Sequence, residues 1–79
     1  MENKELFAFV NYVMETIKVN MEQMKITYID DRRIILSNDN KQYSIRTWNV
    51  NKYGIRYSVF ELVADHGIPI IESNYYFFN

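Results

Sequence analysis

The sequence predicts an α+β fold: one N-terminal amphipathic helix packed on a five-stranded antiparallel β-meander. Two observations carry this. Leu6, Val10, Val13, Ile17, Met21 and Met24 recur at spacings of three and four, and from Lys25 onward the period changes to two. Clusters of turn-forming residues then divide the second part of the chain at hairpin spacing, and no connector is long enough for a parallel crossover.

The helix is expected over about residues 3–23. At about 100° per residue its apolar positions form one stripe, with Phe9 on one shoulder and Phe7 and Met14 on the other. Lys4, Asn11, Glu15, Lys18 and Glu22 make the solvated face. The stripe is wider than a coiled-coil seam, which argues for packing on a sheet.

The meander is expected over about residues 25–78. Its strands are Lys25–Asp30, Arg33–Asn38, Gln42–Asn49, Ile55–Ala64 and Ile68–Phe78, all rich in Ile, Val, Tyr, Phe and Thr. The turns fall at Asp30-Asp31-Arg32, Asp39-Asn40, Val50 to Gly54 and Asp65-His66-Gly67. A two-residue turn at Asp39-Asn40 sets Leu36 opposite Tyr43, Ile34 opposite Ile45 and Arg33 opposite Arg46. The next loop sets Ile45 opposite Val59, Thr47 opposite Tyr57, Arg46 opposite Ser58 and Trp48 opposite Arg56. With a three-residue first turn, Ile26, Tyr28, Ile34, Leu36, Tyr43, Ile45, Tyr57 and Val59 share the face that the helix covers. A small, partly closed barrel is the runner-up. It comes second because both glycines, Gly54 and Gly67, fall in turns and not inside strands.

Size and composition limit the rest. The chain has 79 residues, 48% hydrophobic and 24% charged, which suits one globular domain over residues 1–79. It contains no cysteine, so neither disulfides nor thiolate metal sites enter the reading. No apolar run approaches a membrane span, and Met1-Glu2-Asn3-Lys4-Glu5 is too acidic for a secretory leader, so a cytoplasmic location is expected. Abundant Asn, Ile, Lys and Tyr with scarce Ala and Gly fit an AT-rich genome, such as that of a low-GC bacterium, a phage or another mobile element. The helix-before-strands order is similar to that of Sm-like RNA-binding rings in topology alone. The glycine and Asp/Asn signatures of that family are missing, and no residue is carried across.

Charge is unevenly spread. Residues 1–31 carry −3, residues 32–58 carry +5 and residues 59–79 carry −3. The middle segment places Arg33, Arg46, Trp48 and Arg56 on the sheet face away from the helix. Like charges directly across strands destabilise a sheet, so Arg33 opposite Arg46 points to an anionic partner there. Arg with Trp on an open sheet also suits stacked single-stranded bases. Tyr75, Tyr76, Phe77 and Phe78 make the last strand apolar on both faces. At a sheet edge they point to self-association or partner pairing. Phe7 and Met14 are a candidate docking shoulder on the helix.

Catalysis finds little support. His66 is the only histidine, no second base could orient Ser37, Ser44, Ser58 or Ser73, and no zinc spacing or glycine-rich phosphate loop occurs. No catalytic, metal or cofactor residues are assigned. The expected function is a small non-enzymatic protein-binding module, a regulator or inhibitor that occupies a partner surface and forms a homo-oligomer. The alternative is a single-stranded nucleic-acid or nucleotide binder that uses the basic-aromatic face.

Overall fold

The computed structural model describes residues 3–77. Helix α1 spans Asn3–Thr16 and a 3-10 turn spans Met21–Gln23. Five strands follow: β1 (Lys25–Ile29), β2 (Arg33–Ser37), β3 (Gln42–Trp48), β4 (Gly54–Val63) and β5 (His66–Tyr76). They form one antiparallel sheet in the order β1-β2-β3-β4-β5. β1 pairs with β2 and β5 with β4, so the sheet is open and the barrel alternative is set aside.

One face of the sheet lies against α1. Phe9, Val10, Val13 and Met14 are fully buried there, with Leu6 and Ile17 half-buried beside them. They meet Ile34, Leu36, Tyr43, Ile45, Tyr57 and Val59, which alternate along β2, β3 and β4 as strand geometry requires. Burial of each such side chain stabilises by roughly 1.5–3 kcal/mol, which makes this contact the main driving force of the fold.

The helix is shorter than its periodicity suggests. The backbone turns left-handed at Lys18, with φ 61°. The Val19 N–H donates to Met14 O at 2.9 Å and the Lys18 N–H to Glu15 O at 3.0 Å. This is a Schellman ending, and Val19 packs against the core beyond it. A lysine fills a position that glycine adopts at no steric cost, so the sequence carries no glycine to mark the stop. Met21 and Met24 keep their place against the core from the 3-10 turn, where Asn20 Oδ1 accepts the Glu22 N–H at 2.9 Å.

Three hairpin connections share one device. Asp30 Oδ1 accepts the N–H groups of Arg32 and Arg33, Asn38 Oδ1 those of Asn40 and Lys41, and Asn51 Oδ1 those of Tyr53 and Gly54. Each Asx side chain folds the loop on itself. The fourth turn is Ala64-Asp65, with Ala64 at φ 54°. His66 pairs with Val63 and Gly67 with Leu62, so both belong to β5 and not to the turn. Gly54 starts β4, where a Cβ would collide with the Tyr75 carbonyl oxygen. A side chain there would force β4 and β5 apart.

The β2–β3 and β3–β4 registers are those expected, including Arg33 opposite Arg46 and Trp48 opposite Arg56. The β1–β2 register differs. Asp30 N–H donates to Arg33 O, which closes a turn one residue shorter than expected. A bulge between Ile26 and Tyr28 absorbs the difference, so Ile26 still faces Leu36. Tyr28 instead pairs with Ile35 and Ile29 with Ile34. The two therefore exchange faces: Tyr28 leaves the core side and Ile29 joins it.

Candidate functional site

Among the described residues, the face of the sheet away from α1 has no second layer over it. From β2 it takes Arg33, Ile35 and Ser37, from β3 Ser44, Arg46 and Trp48, and from β4 Arg56, Ser58, Phe60 and Leu62. Ser44 and Ser58 are buried among their larger neighbours, whereas Arg33 and Arg46 are exposed. All four residues assigned from the sequence lie on this face, and the β2–β3 and β3–β4 ladders bring them together.

The arginines are not equivalent. Arg56 donates to Glu72 Oε2 at 3.2 Å and to Asn74 Oδ1 at 3.3 Å, and its guanidinium lies 5.8 Å from the Trp48 ring centroid. Its charge is largely met within the chain. Arg33 sits 5.0 Å from the centroid of Tyr28, a cation–π contact. Among the described residues the ion pairs are Lys41–Glu61 and Arg56–Glu72, so Arg32, Arg33 and Arg46 form none, although Asp30 feels the Arg33 charge. Arg33 and Arg46 lie directly opposite each other near the middle of the face, and neither is held in an ion pair among the described residues.

Two shallow hollows flank Arg46 and Phe60. One, of about 360 Å³, is lined by Arg32, Arg46, Thr47, Trp48, Ser58 and Phe60. The other, of about 260 Å³, is lined by Arg33, Ser44, Arg46, Phe60, Leu62 and Gly67. Arginine side chains and the Phe60 ring line both. A hollow of about 400 Å³ on the helix side has apolar walls that include Leu6, Phe9 and Val50, and its charges are Asp30 and Asp31. Asp30 is already engaged: it accepts the Tyr28 hydroxyl at 2.6 Å and two backbone N–H groups. The Tyr28 hydroxyl first, then the Arg32 and Arg33 N–H groups and the Arg33 charge, hold its carboxyl below the usual range. This hollow marks where the helix stops covering the sheet.

Tyr28 is the member of the open face that the sequence does not show, because its place depends on the bulge. The signal that could reveal it is Asp30, whose Asx turn shortens the first hairpin. The helix shoulder does not form as expected. Phe7 is 54% exposed, but Met14 is fully buried, since it packs into the core beside Val13. Of the last-strand aromatics, Tyr75 and Phe77 are half-buried, with Tyr75 against Phe9 and Tyr12, while Tyr76 is 62% exposed. Phe78 lies outside the described residues.

Tyr57 is the one buried side chain with an unmet polar atom among the described residues. Burial, with some help from Tyr12, pushes its hydroxyl above the usual tyrosine range; the nearby Ser73 and Thr16 hydroxyls offset part of that, although neither reaches it in hydrogen-bond geometry. His66 is exposed at the start of β5. No group of three or more His, Cys, Asp or Glu side chains with metal-binding proximity occurs among the described residues, and no helix there is long and apolar enough to cross a membrane. Comparison of the chain with protein-family models, curated proteins and solved structures yields no match.

Proposed function

We propose that this chain is a small non-enzymatic binding module that occupies a surface of another protein with the open face of its sheet. The observation that carries the reading is the Arg33–Arg46 pair, opposed across neighbouring strands with neither guanidinium in an ion pair among the described residues. Such a pair costs stability in isolation and is offset when a partner supplies carboxylates. The surroundings suit a protein partner. Phe60 and Trp48 provide apolar area, and Arg with Trp is the pairing enriched at interface hot spots. The role is that of a regulator or inhibitor, which acts by covering what it binds. Its reading as non-enzymatic rests on the sequence, which has a single histidine, His66, with no second histidine to orient a nucleophile and no recognisable catalytic motif.

The second reading is a single-stranded nucleic acid or nucleotide held by the same arginines. Trp48 beside an unpaired Arg46 favours it, but Arg56 already lies over the Trp48 ring and Arg33 over Tyr28, which takes up the flat surfaces that bases would stack on. Capture from a lysate of the source cell, with and without nuclease treatment, separates the two. A protein retained by the wild type, and held at least about thirtyfold more weakly by Arg46→Glu, is the expected result for a desolvated charge contact. Recovery of nucleic acid, with affinity that falls steeply and regularly with salt, would replace the first reading by the second. Equal retention by Arg46→Glu would remove the open face from the function altogether.

A further inference from the structure

We propose that two copies of this chain pair through β5, antiparallel about a two-fold axis at Asn74, so that the two sheets become one. The inference starts from the difference between the sheet's two edges. β1 is five residues long and interrupted by its bulge, and Lys25 begins it. These are the devices by which edges resist pairing. β5 is eleven residues long, and its two halves differ. Pro69 and the irregularity at Ile70 disrupt the first half. Nothing comparable interrupts the stretch from Ile71 to Tyr76, which pairs regularly with β4.

The direction of the free backbone groups follows from one hydrogen bond. The Phe77 N–H donates to Tyr53 O, towards β4. In an antiparallel ladder these directions alternate, so Tyr75 and Ser73 also point at β4, while Glu72, Asn74 and Tyr76 direct both N–H and C=O at the open edge. An axis at Asn74 sets Asn74 opposite Asn74 of the second copy and Glu72 opposite Tyr76. Every outward N–H and C=O of the three residues then meets a counterpart. An axis at Ser73 sets Tyr76 against the irregular Ile70, and one at Tyr75 takes the partner of Glu72 beyond the described residues, so among the described residues the Asn74 axis is the one that matches all three.

The side chains suit that register. Glu72, Asn74 and Tyr76 lie on the face that carries Arg56. The axis position, where like charges would repel their own copy, holds a neutral amide. Tyr76, 62% exposed in the single chain, comes to lie beside Glu72 of the second copy. On the other face Tyr75 pairs across the axis with Ser73 of the second copy, next to the Tyr12 ring 5.1 Å from its own. The exposed aromatic surface at this edge is thereby covered from both sides.

The test uses the full chain in sedimentation equilibrium across a range of concentrations. The wild type is expected to show a monomer–dimer equilibrium. Asn74→Lys puts like charges opposite each other on the axis and should weaken it at least about tenfold. Asn74→Glu should do the same, and an equimolar mixture of the two variants should associate again, as Lys then faces Glu. Only residues that meet their own copies give that pattern. Both variants give up the exposed bond from Arg56 to Asn74 Oδ1, but the Asn74 N–H does not serve β4, so both should keep the wild-type circular dichroism; if one does not fold, the other still reports the weakening. A monomeric wild type, an oligomer larger than a dimer, variants that dimerise unchanged, or folded variants whose mixture stays monomeric would each overturn the proposal.

Discussion

The two faces of the sheet draw on the same strands in alternation, and they solve opposite problems. Against α1, Ile34, Leu36, Ile45, Tyr57 and Val59 interlock with helix side chains and are almost wholly removed from water. On the open side, the residues between them include Arg33, Ile35, Ser44, Arg46, Ser58 and Phe60. The covered face is arranged for stability. The open face is not: it opposes two like charges across one ladder and leaves Ile35, Phe60 and Leu62 only half-buried. A surface that served stability alone would place an acid or a threonine opposite Arg46. The difference teaches that folding accounts for the covered face, while the open face is the one on which the proposed reading rests.

Neighbouring residues on β2 give the most direct way to break this comparison. Leu36 is fully buried on the helix side and Ile35 half-buried on the other. Leu36→Ala should cost about 2–5 kcal/mol, through lost burial and the cavity left behind. Ile35→Ala removes apolar area that is already partly wet and should cost about half as much or less. Urea melts of both variants measure this. Equal losses would mean that something covers the open face even in the isolated protein.

Much of this was legible in the sequence. The +5 segment and the two hairpin turns around β3 place Arg33, Arg46, Trp48 and Arg56 together without reference to coordinates, because side-chain period and turn length jointly leave one register that buries the apolar set. Less legible were the events that shift one element by a residue. The first hairpin is shortened by Asp30 and restored by the bulge at Thr27, two changes that cancel for Ile26 but not for Tyr28 or Ile29. Met14 reads as a margin residue on a helical wheel extended to residue 23. It is core because the helix stops at Thr16 and Val19 folds back beside it. Side-chain pattern constrains faces well, whereas helix ends and bulges are decided by backbone hydrogen bonds that leave only a weak trace in composition.

That helix end offers a sharper comparison of intermediate size. Lys18 adopts φ 61° to let Val19 return to the core. Lys18→Gly relieves the steric cost of that conformation, roughly 1–2 kcal/mol, and after glycine's larger unfolded-state entropy is set against it should stabilise the protein by up to about 1 kcal/mol. The gain is reduced by loss of a positive charge near the helix C-terminus, so it should grow as salt screens that charge. Thermal melts at two ionic strengths test it. A loss of stability at both would show that the covered face does not depend on this turn.

The smallest effect concerns how Tyr28 is held on the open face. Asp30 accepts its hydroxyl at 2.6 Å while closing the first hairpin through the Arg32 and Arg33 N–H groups. All of these bonds favour the ionised carboxylate, which is why its pKa is lowered from the ordinary 3.8. The sign follows from linkage. A carboxyl that is more acidic folded than unfolded adds stability that is fully present above its unfolded pKa and is lost as pH falls through the folded value. The contribution of Asp30 should therefore be intact near neutral pH and decline only below about pH 4. Asp30→Asn keeps an oxygen for the two backbone N–H groups but has nothing to protonate. Its melting temperature should fall less than that of the wild type over this acid range, while the two proteins respond alike between about pH 5 and 7, where the wild-type carboxylate stays ionised. The solvent exposure of Asp30 keeps the difference small, since water screens its interactions. If the two acid profiles were parallel, the Asp30–Tyr28 bond would not persist in solution, and Tyr28 would be free to leave Arg33 and the open face.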